Sequence, residues 1–381
     1  MLAERPPMGW NSWNTFGANI TEELVMGIAD AMVDRGLKDA GYEYVVIDDC
    51  WSLRNRDADG RMVADPAKFP HGMKYLSDYI HSKGLKFGMY SCCGTMTCAG
   101  YPGSFGHEYV DARTFADWGV DFLKYDNCFR PVGTQSDMMG EQLYRRMGLA
   151  LKATGRDILF SACNWGNHKV WEWARSAGAH MFRATGDICD NPQSFKSIAL
   201  EQLHMLASSA PGCFCDPDML ICGMYNNGNV SGMGGCTAAQ YRTHFALWCV
   251  TAAPLMIGCD IRNCDEDTLK LLKNRALIAI DQDAEARPPY VVGYPEQNET
   301  YLHMFRHLSD DKFCLASFNF TDAAREGYIN LYDIGITPES GYTLELTDAL
   351  TGEKLSPRDD VIVVHCDAGD CKVYNATLIK K

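Results

Sequence analysis

Along the first three quarters of the chain, short apolar runs alternate with longer stretches in which apolar residues recur every three or four positions. The runs are "PMGWNSW", "YEYVVIDD" (Tyr42–Asp49), "LKFGMYS" (Leu85–Ser91), "VDFLKYDN", "DILFSACN" (Asp157–Asn164), "HMFRATGD" (His180–Asp187), "GCFCDPDML" (Gly212–Leu220) and "APLMIGCD" (Ala253–Asp260). Too short for helices and rich in β-branched and aromatic residues, they read as buried strands. Segments such as "EELVMGIADAMVDRGL", "MKYLSDYIHSKGL", "MGEQLYRRMGLALKA" and "EDTLKLLKNRAL" carry helical spacing, and several close on Gly, a common helix stop. Eight strand–helix units in succession predict an α/β fold, a (β/α)8 TIM barrel. From Val291 onward the period changes to two in "YLHMFRHL", "KFCLASFNF", "GYTLELTDAL", "DVIVVHC" and "KVYNATLI". That pattern predicts a small C-terminal antiparallel β-sandwich. With the junction at Ala284–Pro289, the expected division is a barrel over 1–286 and the second domain over 287–381.

Charge is distributed unevenly along the predicted strands. Strand two ends in Asp48 and Asp49, strand four in Lys124 and Asp126, and strand six in Arg183 and Asp187. Strand seven ends in Asp216 and Asp218, and strand eight in Asp260. The starts of the same strands carry fewer charges, Glu43 and Asp121. Burying charge without purpose is costly, and barrels of this kind place their chemistry at the C-terminal strand ends. The polarity therefore predicts a ring of functional side chains at the barrel mouth.

Composition removes several classes of function. A net charge of -14 repels nucleic acid and anionic membranes, so neither is expected as a partner. The longest apolar run, Phe245–Cys259, is too short to span a bilayer and contains Pro254. No h-region or cleavage site marks the N-terminus, and seventeen cysteines show no small-domain disulfide framework. Together these point to a cytoplasmic location, although a processed, secreted mature chain would look the same. The Asn-x-Ser/Thr sequons at Asn19, Asn229, Asn298, Asn319 and Asn375 are then incidental. No glycine loop for phosphate and no HExxH or His-rich ligand set is present, so neither metal nor cofactor is expected. "NRDADG" (Asn55–Gly60) lacks the length and closing Glu of a calcium loop and reads as a hairpin turn.

A ring of carboxylates with two cations fits glycoside hydrolysis. One carboxylate must stay ionised to attack the anomeric carbon while another holds a proton for the leaving oxygen; in a retaining pair they sit ~5–5.5 Å apart. Asp126 and Asp187 are the candidates, with Lys124 to keep Asp126 ionised and Arg183 to orient the sugar beside Asp187. The competing reading is two structural Asp–cation pairs. Trp10 and Tyr90, at the ends of strands one and three, would offer flat faces to a sugar ring, and the vicinal Asp48–Asp49 pair would grip adjacent hydroxyls.

Taken in order, "PPMGWNSW", "IDDCW" with "FPHGM", "MYSCCGTMTCAGYPGS", "LKYDNC", "CNWG", "RATGD", "DPDML" and "AIDQD" resemble the family 27 glycoside hydrolases, the α-galactosidase and α-N-acetylgalactosaminidase group. The resemblance implies a retaining mechanism with Asp126 as nucleophile and Asp187 as acid/base. It places Trp10, Asp48, Asp49, Tyr90, Lys124, Cys163, Arg183 and Asp218 around the galactose pocket, with Asn164 near the 2-substituent. It also implies a disulfide between Cys98 and Cys128. The expected substrate is a terminal α-linked D-galactoside, cleaved without a cofactor. β-L-Arabinopyranosidase and α-N-acetylgalactosaminidase are the sister specificities, and an inactive sugar-binding protein on the same scaffold is the alternative from another class.

Three departures from the family pattern are visible. Cys50 of "DDCW" has no partner in the first loop, which reads "NTFGANI". The usual "WNDPDM" has become "CFCDPDM", which would put Phe214 and Cys215 in the pocket wall. Asn164 follows Cys163 where many α-galactosidases have Glu; small residues typical of the N-acetyl enzymes are not evident, which favours a free 2-hydroxyl. Asp49, rather than a longer Glu, leaves room for C6. The antiparallel second domain and long loops would support a homo-oligomer.

Overall fold

The expected strands form as β1 (Met8–Asn11), β2 (Tyr44–Val46), β3 (Lys86–Cys92), β4 (Phe122–Asp126), β5 (Leu159–Ala162), β6 (Met181–Arg183), β7 (Phe214–Asp216) and β8 (Leu255–Ile257). The structure is a computed structural model and describes residues 2–293 and 299–381; the Asn298 sequon lies outside them. The eight strands are all parallel, in the order β7-β6-β5-β4-β3-β2-β1-β8. Leu220, just past β7, bridges to Ile257 of β8 and brings the two ends of the sheet together.

The intervening helices include α1 (Trp13–Phe16), α2 (Glu22–Asp34), α3 (Gly72–Ser82), α4 (Glu108–Asp117), α5 (Asp137–Ala153), α6 (Val170–Trp173), α7 (Pro192–Glu201), α8 (Ala238–Val250), α9 (Glu266–Leu272) and α10 (Arg275–Asp281). Capping chemistry sets several starts. Thr21, Ser136 and Asn191 accept from a backbone N–H of the first turn of α2, α5 and α7, and Thr237 with Gln240 makes a full capping box on α8. The single helix read in "EDTLKLLKNRAL" is two helices. Asn274 ends one and caps the next by accepting from Leu277 N at 3.0 Å. "NRDADG" is a hairpin turn as read, closed by Gly60 N to Asp57 O at 3.0 Å.

Strand alternation sorts the side chains into two cores. Leu123 and Tyr125 of β4 face outward among the helices. Phe122 faces inward with Tyr44, Val46, Leu159, Met181, Met219 and Met256, an apolar plug in the barrel interior. Gly88 makes room for it: a Cβ there would lie 2.6 Å from Val46 Cγ2 and 3.1 Å from Phe122 Cβ.

Beyond α10 the chain forms β9 (Tyr290–Val292), β10 (Tyr301–His307), β11 (Lys312–Asn319), β12 (Arg325–Asn330), β13 (Tyr342–Asp348), β14 (Lys354–Leu355), β15 (Val361–Cys366) and β16 (Cys371–Lys380). Six make an antiparallel sheet in the order β14-β13-β16-β11-β10-β9, and β12 pairs with β15. The two sheets enclose a second core that includes Phe305, Leu315, Ile329, Ile362, Val364 and Tyr374. Arg306 of β10, fully buried, donates to the carbonyls of Cys249 and Val250 at the end of α8, both at 3.2 Å, and to Arg287 O at 2.8 Å. A guanidinium there meets the negative end of the helix and joins the barrel to the second sheet. Among the described residues no helix is long and apolar enough to cross a membrane.

Candidate active site

Above the apolar plug the strand ends supply polar side chains, and the alternation of β4 explains how. Phe122, Lys124 and Asp126 share one face, so the strand carries the interior from apolar to charged in three steps. A cavity of about 430 Å³ opens at this level; its walls include Asp48, Asp49, Tyr90, Lys124, Asp126, Arg183, Asp187 and Asp218. Concavities of about 460 and 790 Å³ lie elsewhere on the molecule, but the converging carboxylates are at the mouth.

Asp126 is buried at the end of β4. Tyr90 Oη donates to its Oδ2 at 2.8 Å and Asn127 N to its Oδ1 at 2.8 Å. Burial raises its pKa, and the opposing pull of Lys124 and Tyr90 is insufficient, so the carboxyl is held at about 6. Lys124 does not bond Asp126 directly. Its Nζ donates to Asp48 Oδ2 at 2.7 Å, and Asn11 Nδ2 donates to the same oxygen at 2.9 Å. Its influence on Asp126 acts through space. Burial disfavours the ammonium, but Asp48, Asp126 and Asp218 outweigh it and keep Lys124 charged.

Asp49 accepts from Cys50 N at 2.7 Å and Ala99 N at 3.1 Å, and burial raises its pKa. Arg183, at the end of β6, is almost fully enclosed. Its Nη2 lies 2.6 Å from Asp187 and 3.1 Å from Asp218, and Nη1 is 3.5 Å from Cys163 Sγ. Asp187 itself is exposed, its side chain 67 % accessible. Partial burial works to raise its pKa, but Arg183 dominates and draws it below the usual carboxylate value. Asp218 and Cys50 sit in the left-handed region, at φ +81° and +71°. Such strain in non-glycine residues is concentrated at functional sites.

The structure places several of the residues expected at the site away from the cavity. Trp10 is completely buried, its indole donating to Cys259 O at 2.9 Å; the aromatic face at the cavity belongs to Trp13. Both tryptophans lie in "GWNSW", but Trp13 falls just past the strand end, where alternation no longer says which way it points. Asn164 is also fully buried, its amide donating to Asn167 O at 2.7 Å, and it lines neither the cavity nor the small space of about 20 Å³ beneath it. Phe214 and Cys215 are buried in β7 and do not line the cavity. Cys163 faces the lower space with Ser161 and Asp216.

Asn229, Val230, Ser231 and Met233, from the loop after β7, complete the opposite wall. Their "NGNVSGMGG" reads as a turn-rich linker, and nothing local says that it folds over the mouth. Asp190 holds it there, accepting from Asn226 N and Tyr241 Oη at 2.6 and 2.8 Å.

Cys98 and Cys128 form a disulfide with Cα atoms 5.2 Å apart, and Cys98 lines the cavity. Their sulfurs and Asp126 lie within 4.8 Å of one another, but sulfurs bonded to each other supply no thiolate ligands. Cys50 is a free buried thiol.

Residues 5–283 match the family model described as alpha galactosidase A. Over 378 residues the chain is 42% identical to an alpha-galactosidase of Cyamopsis tetragonoloba, spanning 99% of this chain and 87% of that protein. The structure superposes on alpha-galactosidase I from Mortierella vinacea with a TM-score of 0.91 at 32% identity, covering 98% of this chain and 97% of that one. On the alpha-galactosidase from Saccharomyces cerevisiae with raffinose the TM-score is 0.89 at 28% identity, over 99% and 98% of the two chains.

Proposed function

Because the chain belongs to glycoside hydrolase family 27, we propose that it is an exo-acting retaining α-galactosidase that releases terminal α-linked D-galactose. The observation that carries this reading is the pairing of one buried carboxylate, Asp126, with one exposed carboxylate, Asp187, across a cavity lined by Asp48, Asp49, Lys124 and Arg183. Asp126 attacks the anomeric carbon as Asp187 gives a proton to the leaving oxygen. Water then cleaves the glycosyl-enzyme, with Asp187 as base. Tyr90 donates to Asp126 Oδ2 and leaves the other oxygen to its contact with Asn127 N, so the carboxylate is fixed in orientation before substrate arrives.

The galactose ring stacks on Trp13, with Asp48, Asp49 and Lys124 gripping the O4 and O6 side. Arg183 lines the same cavity and bridges Asp187 and Asp218. Asp187 must acquire its proton in the complex. Substrate that competes for Arg183 and excludes water removes what holds Asp187 ionised.

The test is turnover of nitrophenyl α-galactoside, β-L-arabinopyranoside and α-N-acetylgalactosaminide side by side, with the anomer of the released sugar followed by NMR. Preferential cleavage of the galactoside with first release of α-galactose is expected. A preference for the arabinoside would exclude the galactosidase reading, and no turnover of any would exclude the enzyme.

A further inference from the structure

The loops around the mouth carry an unusual amount of exposed apolar surface. Phe129 is 53 %, Met138 70 % and Val132 91 % exposed, and Leu53, Met96 and Met233 are also exposed. All six follow the C-terminal ends of barrel strands. Leu53 follows β2, Met96 follows β3, Phe129, Val132 and Met138 precede or open α5 after β4, and Met233 follows β7. Exposed apolar side chains scattered singly need no explanation, whereas a contiguous set marks a contact surface.

Contacts make the β2–β4 sector continuous. Arg54, beside Leu53, donates to Gly100 O at 3.0 Å and covers the Tyr101 ring at 4.4 Å. Thr95 N, beside Met96, donates to Phe129 O at 3.1 Å. Cys98 of the same loop lines the cavity and is bonded to Cys128, so Phe129 adjoins the rim. Phe129 is held at φ +44°, a conformation uncommon for a bulky residue. The two arginines beside Leu53 and Phe129 are already engaged: Arg54 as above, and Arg130 with His168 at 2.7 Å and Gln135 at 3.3 Å. Met233 faces the cavity from the loop of β7, across the barrel.

We propose that this rim is the leaving-group subsite and that it selects α-galactosides whose aglycone is an apolar chain or ring rather than a further sugar. The inference rests on the galactosidase reading above. The occupant follows from continuity with the galactose pocket: a leaving group bonded to C1 must exit past Asp187 onto the loops that form the rim. Met233 lines the cavity, and Phe129 follows Cys128, whose disulfide partner Cys98 lines it; the methionines, unbranched and polarisable, accommodate aglycones of varied shape.

The experiment compares kcat/KM for methyl α-galactoside, octyl α-galactoside and raffinose, using the wild-type protein and the variants Phe129→Ser, Val132→Ser and Met138→Ser. Methyl and octyl leaving groups have similar intrinsic reactivity, so their ratio reads contact with the rim. Each methylene removed from water favours binding, so a preference of at least tenfold for octyl over methyl is expected. The variants should lower that ratio while leaving methyl galactoside turnover unchanged. A wild-type ratio near one, or a ratio unmoved by all three substitutions, overturns the proposal. So does a concentration-dependent dimer that Val132→Ser dissociates, since a second copy would then cover the rim. Failure to cleave any of the three α-galactosides refutes the underlying reading instead, and separates the two.

Discussion

Lys124 Nζ lies 2.7 Å from Asp48 Oδ2, two strands away in the sheet, although Asp126 sits only two residues along its own strand. The cation is therefore anchored independently of Asp126. Its charge still acts on Asp126 through the low-dielectric interior, but neither group needs the other to be satisfied.

That independence predicts the behaviour of Asp126→Asn. A carboxyl whose folded pKa is raised from 3.8 to about 6 stabilises the fold below 3.8, and the contribution is lost as pH rises through 6. At pH 7 the ionised group costs on the order of 2–3 kcal/mol; the amide removes that cost and its oxygen still accepts from Tyr90, while the bond from Asn127 N, worth about 1 kcal/mol, is lost. The variant should have a higher Tm than wild type at pH 7, no gain at pH 4, and almost no activity. Calorimetry at the two pH values checks it; a lower Tm at pH 7 would contradict the assignment.

Lys124→Met should behave in the opposite way. It leaves Asp48 buried without its cation, which costs about 3–5 kcal/mol. Adding Asp48→Asn should restore much of the stability, because both charges are then gone, but not the activity. A urea-denaturation double-mutant cycle measures the coupling, and additive losses would contradict a direct pair.

The two carboxyls set the pH profile of kcat/KM. Asp126 is raised to about 6, and Asp187 is drawn down by Arg183. The competent species carries one proton between them, so kcat/KM should peak below 6 and fall tenfold per pH unit above it. In Asp187→Ala the proton is no longer needed from that site. Residual turnover of an aryl galactoside with a good leaving group should then rise with pH towards 6 and level off. An unchanged bell in this variant would assign the limbs to other groups.

The Cys98–Cys128 bond closes a separation of 30 residues, which corresponds to about 3–4 kcal/mol of stabilisation from chain entropy. Cys98→Ser with Cys128→Ser should lower the chemical-denaturation stability by about that much. It should also raise KM, since Cys98 lines the cavity. Equal KM in the wild-type and double-variant enzymes would show that the bond serves the fold alone.

Arg306→Ala removes the guanidinium that joins β10 to the end of α8. It leaves buried carbonyls unpaired, and a loss of about 2–4 kcal/mol is expected. Thermal unfolding followed by circular dichroism checks it, and a change below about 0.5 kcal/mol would contradict a role in joining the two parts.

The amino-acid sequence alone determined what depends on local periodicity. Apolar runs spaced by helices dictated eight strands, and two-residue alternation placed Phe122, Lys124 and Asp126 on one face. Charges concentrated at the C-terminal strand ends pointed to the mouth, because charge in a barrel interior is too costly to be incidental. Only the tertiary structure decided how those charges are paired. Lys124 goes to Asp48 and Arg183 bridges Asp187 and Asp218, choices made by strands that are distant in the chain and adjacent in the sheet. Nor did alternation reach past the strand ends, so Trp13 rather than Trp10 faces the cavity and the loop from Asn229 to Met233 closes it. Direction in a loop is set by long-range anchors such as Asp190, and local sequence carries no period from which to read it.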